Sequence, residues 1–153
     1  WAAYMRVSIN GAPAVQYPAP QSNSQPTGSG FDPRPARFIS LRRAWQPGDV
    51  VEMGFDMPVR LLRAHPRVRG HAGKVAVTRG PLVYCLESVD NPGADIFSAR
   101  LNPGTLVPAH QPDVLGGATL LYGKTVSGAP LVLIPYMLWG NRGPSRMTVW
   151  VNA

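Results

Sequence analysis

One thiol, three imidazoles and eight carboxylates are the groups in this 153-residue chain that could make or break bonds. A nucleophilic cysteine needs a base or a positive charge beside it to lower its pKa. A structural zinc needs about four ligands, commonly several of them cysteines. Cys85 lies in an apolar run with no second cysteine in the chain. It reads as a small buried apolar side chain, sharing a strand face with Val83 and Glu87, opposite Leu82, Tyr84 and Leu86. His65, His71 and His110 lie in stretches rich in Pro and Gly and lack ligand spacing. They read as solvated side chains, and no metal site is expected. Hydrolysis by paired carboxylates needs one as acid and one as base or nucleophile. The chain offers Glu52 with Asp56, and Glu87 with Asp90. The first pair shares one face of a strand and is expected at solvent. Glu87 ends a strand, and Asp90 opens a turn where its side chain is expected to bond nearby amides. No catalytic, cofactor-binding or metal-binding residue is therefore expected in this chain. Trp45, Trp139, Trp150 and Tyr136 have faces that could stack on sugar rings, but core or interface packing is the reading for each. Arg142 is suited to a paired hydrogen bond with a carboxylate at a domain interface, although the sequence names no partner.

The elements that carry these residues are short and extended. Met5, Val7 and Ile9 alternate with Arg6, Ser8 and Asn10, the period of a half-buried strand. Asn10-Gly11 then predicts a type I′ hairpin turn back through Val15 and Tyr17. Residues 18–35 hold five prolines among Ser, Gln and Gly and predict a long surface loop. A strand is expected over 38–43, a turn at Trp45-Gln46-Pro47-Gly48-Asp49, and a strand with Val51, Met53, Phe55 and Met57 on one face. Pro58 breaks that strand, and 59–64 continues extended. Strands are further expected over 74–78, 82–87, 96–101, 105–107, 118–122, 131–136 and 147–151, with a turn at Asp90-Asn91-Pro92-Gly93. No stretch sustains a 3.6-residue period.

Composition agrees. Gly (16) and Pro (17) make up about a fifth of the chain, which disfavours a helical bundle. One cysteine excludes a disulfide scaffold, and is compatible with either a reducing or an oxidising compartment. The longest apolar run, 130–139, is far short of the roughly 20 residues of a membrane helix. The net charge of +7 raises the question of nucleic acid. Yet the arginines are scattered, and no zinc-finger spacing, RNP-like aromatic motif or helix-turn-helix pattern accompanies them. Neither nucleic acid nor a membrane is expected as a partner. The chain opens on Trp1 with no basic and apolar leader after it, so it is expected to begin inside a larger protein.

Three stretches carry a family resemblance. The first is Arg43-Ala44-Trp45-Gln46-Pro47-Gly48-Asp49, followed by Met53 and Met57-Pro58-Val59-Arg60. The second is Lys74-Val75-Ala76-Val77-Thr78-Arg79-Gly80-Pro81-Leu82-Val83-Tyr84-Cys85-Leu86-Glu87 with Asp90-Asn91. The third is Leu133-Ile134-Pro135-Tyr136, Trp139-Gly140-Asn141-Arg142-Gly143-Pro144 and Met147-Thr148-Val149-Trp150-Val151. In this order and spacing the chain resembles the C-terminal part of glycoside hydrolase family 127, the β-L-arabinofuranosidases. The resemblance implies an all-β fold of two small antiparallel β-sandwiches in tandem. The first covers 1–67, is incomplete at its N-terminus and includes the Pro-rich loop 18–35; the second covers 68–153. It also implies that an (α/α)-barrel with a cysteine nucleophile, zinc and glutamates precedes this region. None of that catalytic motif lies here, so no catalytic residue carries over, and zinc is expected only in the barrel. The expected role is non-catalytic support or dimerisation of that barrel, in a parent that cleaves terminal arabinofuranosyl-type linkages. The alternative is a free-standing carbohydrate-binding sandwich.

Overall fold

The computed structural model describes residues 4–18, 40–114 and 116–153. Among these there are eleven strands, two 3-10 turns and no α-helix. No helix among the described residues is long and apolar enough to cross a membrane. The chain divides into two compact units, Trp1–Pro58 and Val59–Ala153.

The first unit is a three-stranded antiparallel sheet. Its strands are β1 (Tyr4–Ile9), β2 (Ala12–Pro18) and β3 (Val51–Asp56), in the order β2-β1-β3. The turn between β1 and β2 places Asn10 at φ +52° and Gly11 at φ +76°, the two left-handed residues of a type I′ corner. Met5 faces Phe55, Val7 faces Met53 and Ile9 faces Val51 across the ladder. The apolar residues thus share one side, and Arg6, Ser8, Glu52 and Gly54 the other. The Arg6 side chain lies over Gly54, where a Cβ would come within 2.7 Å of Nε. Only Val7 is buried on the apolar side, while Val51, Met53 and Phe55 are 43%, 63% and 41% exposed.

The corner before β3 forms as its composition predicts. The Asp49 amide donates to the Gln46 carbonyl at 3.1 Å, and Gly48 sits at φ +92°. Asn10 clasps this corner. Its Nδ2 donates to Asp49 Oδ1 at 2.7 Å, and its Oδ1 accepts from the Val50 amide at 2.8 Å. The strand expected over 38–43 is corrected for its described part: residues 40–43 form none. Arg43 turns instead to the corner, 3.4 Å from Asp49 and 5.3 Å above the Trp45 ring. Phe38, Ile39 and the Pro-rich stretch after Pro18 lie outside the described residues.

The second unit holds one antiparallel sheet of eight strands. These are β4 (Val59–Leu62), β5 (Lys74–Arg79), β6 (Leu82–Glu87), β7 (Leu101–Gln111), β8 (Ala118–Thr125), β9 (Pro130–Pro135), β10 (Met147–Thr148) and β11 (Trp150–Asn152). The division between units falls at 58/59, ahead of the expected 67/68, because β4 pairs with β5 from Val59 opposite Arg79 to Leu62 opposite Ala76. β5 and β6 form a hairpin around Gly80 (φ +57°) and Pro81, paired over Val77 to Arg79 and Leu82 to Tyr84. Beyond that they separate, and the end of the chain supplies the missing partners: β11 pairs with β5, and β10 with β6. The expected strand 147–151 is therefore two strands broken at Val149.

Both faces of the central strands are covered, so β6 is buried continuously from Tyr84 to Glu87. Tyr84, Leu86, Leu121, Leu131 and Leu133 pack on one side with Val77, Ile96, Leu101 and Val151. Cys85, Ala118, Leu120 and Ile134 pack on the other, with Val132, Leu138, Met147 and Val149 against them. The strand expected over 96–101 is corrected: residues 96–98 form a turn, and β7 begins at Leu101. Asp95 causes this. Its Oδ1 accepts the Phe97 amide at 3.2 Å, and its carbonyl accepts the Ala99 amide at 2.9 Å, a local pairing that competes with a ladder.

Candidate functional site

The densest polar cluster is formed by residues of the second and third motifs. β6 ends by delivering Glu87 into the interior, where its side chain is fully buried. The turn after β6 brings Asp90 and Asn91 alongside. The Gly-rich corner after the second 3-10 turn (Tyr136–Leu138) brings Gly140, Arg142 and Ser145 from the far end of the chain. Arg142 Nη1 and Nη2 donate to the two Asp90 oxygens, each at 2.5 Å. Nη2 also donates to Glu87 Oε2 at 2.7 Å. Glu87 Oε1 accepts from the Gly140 amide at 3.0 Å and from the Ser145 hydroxyl. Burial pushes the Glu87 carboxyl up, but the Ser145, Gly140 and Arg142 hydrogen bonds outweigh it and hold the group below its ordinary range. Arg142 is raised by Asp90 first and Glu87 second, against its partial burial.

Asn91, also buried, completes the corner. Its Nδ2 donates to the Glu87 and Val132 carbonyls at 2.8 and 2.9 Å, and its Oδ1 accepts the Val132 amide at 2.8 Å. The side chain thus acts as a short stretch of ladder beside β9.

This arrangement ties the end of β6, the turn after it and the corner at 140–145 together. An acid/base pair must exchange protons with a reacting group within hydrogen-bond reach. Glu87 is sealed, and Glu87 and Asp90 are both committed to one guanidinium. The bond of Asp90 to Arg142 corrects its expected role as an amide acceptor. Arg142 finds its carboxylates within its own unit and not across a domain boundary. Sequence reasoning missed Asn91 and Ser145; their signal is adjacency to the Asp90 and Arg142 motifs.

The other candidates fall elsewhere. Cys85 is fully buried, as its surroundings predict, and its thiol is pushed up to about 12 by burial first, then by the Glu87 and Asp90 charges. Such a thiol is no nucleophile at neutral pH. Glu52 and Asp56 lie on the polar face of β3, where Glu52 accepts from the Ser8 hydroxyl at 3.1 Å. His71 is stacked on Trp150, 4.4 Å between ring centroids, and so is not a free loop side chain. His65 Nδ1 accepts the Arg67 amide at 3.2 Å, and His110 lies in β7. No three His, Cys, Asp or Glu side chains converge among the described residues, so these residues do not fit the zinc that the resemblance places in a barrel. Trp45, Tyr136 and Trp139 are 46%, 45% and 40% exposed. Trp45 lies under the Arg43 guanidinium, and the Trp139 amide donates to the Tyr136 carbonyl at 3.2 Å.

The comparisons with known proteins follow the same motifs. The glycoside hydrolase family 127 C-terminal domain matches residues 59–152. The non-reducing end β-L-arabinofuranosidase of Bifidobacterium longum subsp. longum is 39% identical over 130 residues, covering 67% of this chain and 20% of that protein. The crystal structure of a family 127 β-L-arabinofuranosidase from Geobacillus stearothermophilus T6 superposes with a TM-score of 0.67 at 34% identity, over 99% of this chain and 25% of that one. A structure described as a glycoside hydrolase superposes with a TM-score of 0.70 at 30% identity, over 99% of this chain and 26% of its own. The chain therefore spans about a quarter or less of the length of the relatives it matches. It belongs to glycoside hydrolase family 127, and its residues 59–152 are that family's C-terminal domain.

Proposed function

We propose that this chain is a non-catalytic, bracing part of an arabinofuranosidase-like glycoside hydrolase, and that it packs against or helps dimerise a catalytic barrel carrying the zinc and the nucleophile. The parent then cleaves terminal β-L-arabinofuranosyl-type linkages. The observation that carries the bracing role is the apolar face of the first sheet. Val51 and Met53 stand opposite Ile9 and Val7 on one side of the sheet, and both are more than a third exposed. A contiguous apolar face of this kind marks a surface that is covered in an assembly. The tied Glu87, Asp90 and Arg142 side chains and the sealed thiol support the non-catalytic reading.

The test has two arms. The purified chain is assayed on a chromogenic β-L-arabinofuranoside with and without zinc, and no hydrolysis above buffer is expected. Turnover that resists chelation and co-elutes with the chain overturns the non-catalytic reading. In the parent enzyme, Met53→Asp is expected to lower Tm or dissociate the particle while leaving kcat of the remaining folded enzyme within about threefold. Unchanged Tm and mass overturn the bracing role.

A further inference from the structure

A second polar site lies on the surface of the second unit, away from the buried cluster's interior. The turn imposed by Asp95 and the stretch before β10 bound a cavity of about 380 Å³, whose lining includes Ser88, Asp95, Ile96, Phe97 and Arg146. That volume is at the low end of small-ligand pockets. Its rim is rigid for a surface loop. Asp95 fixes the turn through the Phe97 and Ala99 amides. The Asn152 side chain holds the Phe97 carbonyl at 2.9 Å, and the Arg146 amide donates to the Ser88 hydroxyl at 3.0 Å. Ile96 is 3% exposed and anchors the loop in the core, while its neighbour Phe97 is held 49% exposed.

The chemistry of the lining is specific. Asp95 and Arg146 both line the cavity, and Arg146 is near enough that its charge helps to hold the Asp95 carboxyl below its ordinary range, after the hydrogen bonds from Ser98 and Phe97. Yet the two form no salt bridge, and among the described residues the Arg146 guanidinium has no acceptor, so five donors remain uncommitted. The Asp95 carboxylate has lone pairs beyond the bonds it already accepts. A ligand that meets both groups donates to the carboxylate, accepts from the guanidinium and has the exposed Phe97 side chain beside it. Vicinal hydroxyls on a sugar ring have that pattern: one donates to a carboxylate, its neighbour accepts from a guanidinium, and the C–H face lies on an aromatic.

We propose that the cavity between Asp95, Phe97 and Arg146 is a binding subsite for a single neutral sugar residue, stacked on Phe97 and bridging Asp95 and Arg146 through a vicinal diol. The subsite does not depend on the bracing role of the chain, and its failure leaves that role untouched; only the choice of L-arabinose as probe follows from the family. A site this open holds one ring weakly, with Kd in the millimolar range.

The test is a titration of the isotopically labelled full chain with L-arabinose, followed by amide chemical shifts, with glycine titrated in parallel as a zwitterion that could also span the two charges. Shifts are expected at residues 88–97 and 146, saturating with L-arabinose and absent or weaker with glycine. Phe97→Ala is expected to weaken binding roughly fivefold, the scale of a lost stacking contact, and Trp139→Ala to leave it unchanged. If Phe97→Ala disturbs amides outside the loop, Arg146→Gln serves in its place with the same expectation. No shift at the highest soluble sugar concentration, shifts confined to Trp45, Tyr136 or Trp139, or equal response to glycine overturns the proposal.

Discussion

Arg142 is the residue on which the second unit turns. It pairs with two carboxylates that sit on one corner, and one of them, Glu87, is wholly sealed. Removing one partner from a buried pair costs more than the pair itself contributes, because a charge is left without compensation. Arg142→Met is therefore expected to destabilise the second unit by about 3–5 kcal/mol at neutral pH, read from denaturant midpoints. The pH dependence has a definite sign. Glu87 is held below its ordinary 4.5 in the folded protein, so its contribution is fully present above that value and is lost as pH falls through the lower folded one. Glu87→Gln should thus lower Tm at pH 7, and its deficit against wild type should shrink below pH 4.5. A deficit that stays constant to pH 3 would show that Glu87 acts through packing alone. Cys85 makes the complementary point. With its thiol pushed up to about 12 and no exposure, it should fail to react with a disulfide reagent at pH 8 in the native chain and react fully in denaturant. Rapid native labelling would mean that the core around Ile134 and Leu120 opens. The burial of Cys85 was legible in its apolar run, whereas the pairing of Arg142 was not. Arg142 was recognisable as suited to a carboxylate, but more than fifty positions separate it from Glu87, and no local pattern encodes a contact at that distance.

At the scale of elements, what was legible is what local chemistry decides. The Asn10-Gly11 corner, the Pro47-Gly48 corner and the alternation of β1 and β3 all form where turn residues and period two put them. What escaped notice was decided by competition or by distant partners. Residues 96–99 carry a strand-like composition, yet Asp95 captures their amides first. β7 pairs with β8 at Leu101 and Asn102 and again from Val107, and residues 103–106 stand outside the ladder where the register shifts. The last strand is split because β5 and β6 diverge and each takes half of it. Asn10 shows local and distant roles combined. It holds a left-handed φ and also clasps the second corner through Asp49 and Val50. Two substitutions separate the roles. Asn10→Gly keeps the backbone conformation and loses the clasp, whereas Asn10→Ala loses both. Asn10→Ala is expected to cost about 1 kcal/mol more than Asn10→Gly, measured by the denaturant dependence of a probe in the first unit such as Trp45 fluorescence. Equal losses would place the whole effect in the clasp.

Over the whole molecule, the two units differ in what they can bury. Among the described residues, every fully buried large side chain lies in Val59–Ala153, and Val7 is the one buried apolar residue of Trp1–Pro58. An isolated three-stranded sheet with one solvated apolar face is at the margin of independent stability, whereas a sheet with packed side chains on both faces has the core that cooperative unfolding requires. A polypeptide of residues 59–153 is therefore expected to fold alone, unfold in one transition and retain a Tm within a few degrees of the second unit's transition in the full chain. Residues 1–58 alone are expected to show no cooperative transition. The full chain should then melt either with a weak early transition for the first unit or with that sheet already labile, and calorimetry distinguishes the two by whether one or two heat-absorption peaks appear. A single peak in the full chain, together with loss of folding in 59–153, would mean that the first sheet is a required part of the second unit's core. The side of Val51 and Met53 would then face that core and not an external partner. The same calorimetric scan therefore bears on the bracing role: independent melting leaves the apolar face available to a barrel, and obligatory coupling removes it.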